Sequence, residues 1–111
     1  IWYSSETHYQ VVFRNDDLQC RITYRLDGTV EKTERYFTEK DLPPYVLVKV
    51  KNRFDGYRVH GVTEITTEAG VVYHLMLEGD KKWLQVQADE TGHSSITRRF
   101  NRQEIALIAR E

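Results

Sequence analysis

The sequence predicts an α+β fold: an antiparallel β-sheet built from two meander repeats, with one main helix, about 41–54, packed on one face. Three observations predict it. Residues 9–36 align without a gap to residues 73–100 at a constant spacing of 64, with Tyr9/Tyr73, Asp16/Asp80, Gly28/Gly92, Thr33/Thr97 and Arg35/Arg99 identical. Within both copies apolar and polar residues alternate, and Val11, Phe13, Cys20 and Ile22 fall opposite Leu75, Leu77, Leu84 and Val86 without a shift of register. Between the copies the period changes from two to about 3.6 residues, the mark of an amphipathic helix.

Each element follows from local chemistry. Residues 8–14 and 18–26 alternate around the turn residues Asn15-Asp16-Asp17 and read as a hairpin. Asp27-Gly28 leads into a third strand over 29–37, because glycine accepts the positive φ of a tight hairpin turn. The same order returns at 71–78, 82–89 and 94–100, with Gly79-Asp80 and Thr91-Gly92 as turns. Thr38-Glu39-Lys40-Asp41 has the form of a capping box, and Pro43-Pro44 fits only the opening turn of a helix. Leu42, Val46, Val50 and Phe54 recur every four residues, and Lys49, Lys51 and Arg53 take the other face and the last turns, where cations suit the helix dipole. Asp55-Gly56 ends the helix. The strand over 57–67 changes phase around Gly61, from Tyr57 and Val59 to Val62 and Ile65, which predicts a β-bulge. Residues 101–111 are expected to form a short terminal helix through Ile105, Ala106, Ile108 and Ala109.

The whole of 1–111 reads as one domain, with strands of the first unit over 1–37, helix and strands of the second over 38–100, and a tail over 101–111. No Pro-rich or Ser-rich linker divides the copies, so both belong to one continuous sheet or to two closely packed ones. Moving the helix back by 64 gives positions before Ile1, so the first meander lacks a helix of its own. Its apolar face is left for the shared helix, the C-terminal segment or another molecule to cover.

At 111 residues and 40% hydrophobic content the chain is long enough to bury a core without metals or several disulfides. Sixteen basic against seventeen acidic residues leave a net charge of −1, which argues against nucleic acid or an anionic membrane as partner. No apolar run nears the roughly 20 residues that span a bilayer, so membrane insertion is not expected. The lone Cys20 has no partner for an internal disulfide and is read as a small apolar residue facing the core.

The stretch from Asp41-Leu42-Pro43-Pro44 to Phe54-Asp55-Gly56-Tyr57, then Val62-Thr63-Glu64-Ile65, Tyr73-His74-Leu75 and Asp89-Glu90-Thr91-Gly92, resembles the PepSY-like, beta-lactamase-inhibitor-like proteins of bacterial cell envelopes. Asp55 stands where that family commonly has proline, and a first helix is missing. The resemblance implies strands packed against helices, export to the periplasm or cell surface, and no enzymatic activity.

Strand alternation places Gln10, Val12, Arg14, Gln19, Arg21, Thr23 and Arg25 on the face away from the helix in the first copy. In the second copy it places His74, Met76, Glu78, Trp83, Gln85, Gln87 and Asp89 there. A tryptophan and a methionine on a solvated face mark a contact surface, so Trp83, Met76 and His74 are the expected contacts of a protein or peptide partner, with Arg21 and Arg25 as polar rim. The competing reading packs Trp83 beneath a loop or the C-terminal segment. His60 and His74 lack the spacing of a metal site, and Ser4-Ser5, Ser94-Ser95 and Cys20 lack the surroundings of a nucleophile, so no metal, cofactor or catalytic residue is expected. Arg98-Arg99 reads as a charged edge that resists strand-to-strand aggregation. The alternative role is a structural or self-associating module, a homodimer whose second copy covers the helix-deficient meander.

Overall fold

The computed structural model describes residues 1–5, 7–15 and 18–101. Eight strands pair in chain order into one antiparallel sheet: β1 (Trp2–Ser4), β2 (His8–Asn15), β3 (Leu18–Arg25), β4 (Val30–Phe37), β5 (Arg58–Thr67), β6 (Gly70–Glu78), β7 (Lys82–Asp89) and β8 (Ser94–Asn101). One helix, α1 (Pro44–Arg53), connects β4 to β5. The alternation and turn signals therefore located seven of the eight strands. The three residues of β1 are too few to show a period, and that strand is found only by its pairing of Trp2 with Val11 and Ser4 with Tyr9. The Asp16-Asp17 turn and the terminal helix expected beyond Asn101 lie outside the described residues.

β4 and β5 pair directly from Thr33↔Thr66 to Phe37↔Val62, which makes the two meanders one sheet. The bulge expected at Gly61 is present as a register shift between Val59 and Gly61 against β6. Two more shifts differ between the meanders: one between Thr23 and Tyr24 against β4, the other between Gln85 and Val86 against β8, where Thr97 is the extra residue.

The helix starts later than its sequence signals suggest. Glu39–Asp41 forms a single 3₁₀ turn, and Leu42 and Pro43 are then extended, at ψ 137 and 131. Proline disfavours helical geometry in the residue before it, so the Pro43-Pro44 pair delays α1 until Pro44 stands at its first position. Thr38 makes no side-chain capping bond, so the capping-box reading is corrected to a separate turn. Lys51 holds that turn through Glu39 at 3.3 Å. At the other end the Arg53 guanidinium donates to the backbone carbonyl of Ser94 and to its Oγ, tying the last turn of α1 to the start of β8.

The core lies beneath α1. Leu42, Val46, Val50 and Phe54 pack against Phe37, Val62, Tyr73, Leu75, Leu77, Leu84, Val86 and Ala88. Tyr73, Leu75 and Leu77 of β6 and Leu84, Val86 and Ala88 of β7 alternate, so the middle and end of one face of each strand are buried. On the same face, β2 and β3 have no helix above them, and of β4 only Phe37 joins the core. Cys20, expected to face the core, sits half-buried on that face.

The β3–β4 and β7–β8 turns share a backbone. Gly28 N–H donates to Arg25 O at 2.9 Å and Gly92 N–H to Asp89 O at 3.0 Å, with both glycines in the left-handed region. A carboxylate fastens each turn, from different places. Asp27 Oδ1 accepts from Thr29 N and Oγ1, whereas Asp89 Oδ1 accepts from Thr91 N and Oγ1 and from His93 N. These bonds, led by the threonine hydroxyls, hold both carboxyls below the ordinary aspartate range.

Two outcomes follow from the turns. Alanine at Gly28 should cost about 1–2 kcal/mol from the left-handed backbone alone, since a Cβ there meets nothing within 4 Å. Gly92→Ala should cost at least about 1 kcal/mol more, because its Cβ lands 2.6 Å from Lys49 Cδ of α1. Equal losses in urea unfolding would show that α1 is not held close to this turn. Because Asp27 and Asp89 have folded pKa values below the unfolded one, their contribution is present above about pH 4 and is lost as pH falls through the folded values. In a carboxyl NMR titration Thr91→Val should raise the Asp89 midpoint and leave Asp27 unmoved; an unmoved Asp89 would contradict the hydroxyl's role.

Candidate functional site

On the sheet face away from α1, register brings together side chains distant in sequence. Tyr36 of β4 lies beside Thr63 of β5, Thr63 beside His74 of β6, Gly61 beside Met76, and Met76 beside Gln85 of β7. These six residues line a depression of about 300 Å³. Its floor is a product of the bulge. His60 is the extra residue, so Gly61 takes the outward position opposite Met76 and contributes no side chain, and a Cβ there would have open space around it.

The rim is polar. Tyr36 donates its hydroxyl proton to Glu34 Oε2 at 3.1 Å. Burial first, then the Glu34 charge, pushes the phenol above its ordinary pKa, so Tyr36 stays a neutral donor. Arg21 of β3 lies beside Glu34, and its Nε–H is buried without an acceptor. A buried donor in that state is costly until something accepts from it.

The expected contacts thus occupy different situations. His74 and Met76 stand half-buried in the wall of the depression, and Arg21 lies outside it on the neighbouring strand β3, beside Glu34. Trp83 is on the same face but only 8% exposed. Its ring meets His60 edge-on at 4.9 Å between centroids, and Phe100 lies across from it on β8. Arg25 is engaged elsewhere, donating to Thr29 Oγ1 and Val30 O and reaching Glu68 at 3.8 Å. Tyr36, Gly61 and Thr63 were not among the expected site residues. The phase change at Gly61 was their one sequence signal, because the β4–β5 register that sets Tyr36 beside Thr63 is not written in either strand alone.

The depression offers an amide, an imidazole, a thioether and hydroxyls over an apolar floor, which suits hydrogen bonding and shape-complementary contact. Among the described residues no group of three or more His, Cys, Asp or Glu side chains converges as a metal site, and no helix is long and apolar enough to cross a membrane.

No family model matches the chain, and no curated protein does. Its fold is shared with solved structures. A BLIP-like protein from Bacteroides fragilis superposes with a TM-score of 0.70 at 16% identity, over 92% of this chain and 73% of its own. A DUF2874 family protein from Bacteroides uniformis gives the same TM-score at 17% identity, over 91% of this chain and 75% of its own. The chain therefore has the BLIP-like α+β fold, as the motifs of its sequence imply; at these identities the likeness is one of fold.

Burial of Trp83 generates its own test. Trp83→Ala should lower stability by about 3–5 kcal/mol in chemical denaturation, and His60→Ala, at an exposed position, by under about 1 kcal/mol. A Trp83→Ala variant as stable as the parent would return the ring to the surface as a free contact.

Proposed function

We propose that this is a non-enzymatic, exported domain that binds an extended segment of an envelope protein or peptide on the open face of its sheet. The observation that carries this reading is the depression floored by Gly61, with Met76 and His74 as its walls. Met76 adapts its unbranched thioether to a partner's apolar side chain, while His74, Thr63 and Gln85 offer hydrogen bonds that fix orientation. Arg21 supplies the second support: beside Glu34 on the same face, its guanidinium is a cation toward which a carbonyl or carboxylate of the partner can turn. The resemblance to envelope proteins supports export, and the name of the BLIP-like neighbour fits a protein-binding use of this fold. A fold hosts many functions, so the weight rests on the site.

The reading is tested by displaying peptide segments of bacterial envelope proteins beside segments of cytoplasmic proteins, and selecting them on the parent chain and on Gly61→Leu. Gly61 is outside the left-handed region, so leucine there fills the depression with little backbone strain. Envelope segments should be enriched on the parent and bind Gly61→Leu at least about tenfold more weakly, a loss of about 1.4 kcal/mol, with the melting temperature kept. Equal binding to both proteins would remove the depression as the site.

A further inference from the structure

The α1 side of β1–β3 leaves several aromatic side chains open to solvent. Trp2 is 67% exposed, Tyr9 42% and Phe13 53%. A spacing of 64 carries Tyr9, Val11 and Phe13 onto Tyr73, Leu75 and Leu77, which α1 buries to 5% or less. Tyr9 and Phe13 thus stand exposed where their counterparts are covered, while Val11 between them is buried to 5%.

A helix seated as α1 is does not fit there. α1 lies over β7, where Ala88 is small and Gly92 lies directly under Lys49. At the corresponding place on β3 stands Tyr24, on which Trp2 stacks at 6.1 Å, and Gly28 has no neighbour at all within 4 Å of its Cβ position. The result is a flat aromatic layer, a surface that suits a second sheet packed about 10 Å away.

None of the described side chains on this face of β1–β3 is charged. Charge begins at β4 and β5, where Arg35 and Glu64 already pair at 3.2 Å. Such a patch meets its own copy without like-charge repulsion, the condition for an isologous two-fold contact. With aromatic side chains of about 150–250 Å² each, and Val30 beside them, it presents on the order of 400–500 Å². That is within the roughly 300–600 Å² of a typical monomer's largest patch and over half of the roughly 800 Å² per partner of a standard interface.

We infer that a second copy of this chain covers the face, the two sheets packing aromatic layer on aromatic layer about a two-fold axis. The patch is smaller than one side of a standard interface, so a weak, reversible association is expected.

Sedimentation of the 111-residue chain over about 1–100 µM should show a reversible dimer. The reaction of Cys20 with a thiol reagent should slow as the dimer fills, since Cys20 lies opposite Phe13 on this face. Phe13→Arg and Tyr9→Arg each set like charges across the axis and should weaken the dimer at least about tenfold, with the α1 core and melting temperature retained. Gly61→Leu should leave it unchanged, which separates this contact from the open-face site. A chain that stays monomeric throughout overturns the inference, as does a dimer unaffected by either arginine. A monomer that instead takes up a synthetic peptide of the α1 sequence at this face overturns it in favour of a helical partner.

Discussion

The contact on which the rest of the structure depends is the seating of α1 on β6 and β7. Val46 and Val50 are almost wholly buried against Leu75, Leu77 and Val86, and each such side chain contributes about 1.5–3 kcal/mol by leaving water. That burial needs alternation along both strands to be kept in phase, which the tight turns secure at one end and the bulge at Gly61 corrects on β5. Arg53 then fixes the helix to β8 through Ser94, so the turn that carries Gly92 and the helix that lies over it are held as one unit.

The cost of this arrangement is asymmetry. One helix covers the α1 face of β6 and β7, while the same face of β2 and β3, also apolar, has no helix over it. In the second half that side is interior. In the first it consists of rings that shield one another, as Trp2 does Tyr24, while still meeting solvent. The opposite face shows the reverse distribution: the depression and the unpaired Arg21 donor sit over the middle of the sheet, where α1 makes the strands beneath them rigid. A site on β4–β7 therefore rests on the best-packed part of the molecule, which suits preorganised recognition.

Much of the fold was legible because its determinants are local. Glycine at positive φ and alternation within eight residues marked the hairpins, and the bulge betrayed itself as a change of phase at Gly61. The start of α1 was read too early because two signals conflict: Thr38-x-x-Asp41 favours a helix, while the proline pair forbids one until Pro44. Which side of each strand faces outward was also legible, so Met76 and His74 were placed on the open face. What lies beside them was not. Tyr36 joins them through β4–β5 pairing across the length of α1, and Trp83 is met by His60, the extra residue of the bulge. Both are facts of register between strands, and no single segment encodes them.

The bulge at Thr97 has a consequence for how this molecule meets its neighbours. β8 is the last strand, and its extra residue breaks the even row of free backbone groups on which another strand would have to zip. Arg98 and Arg99 follow at once, both exposed, and the opposite border is only the three residues of β1. Addition of a further strand, the route to ribbons and fibrils, is thereby obstructed along β8. That edge is ill suited to hydrogen-bonded extension, whereas the apolar face of β1–β3 stays open to packing across the thickness of the sheet.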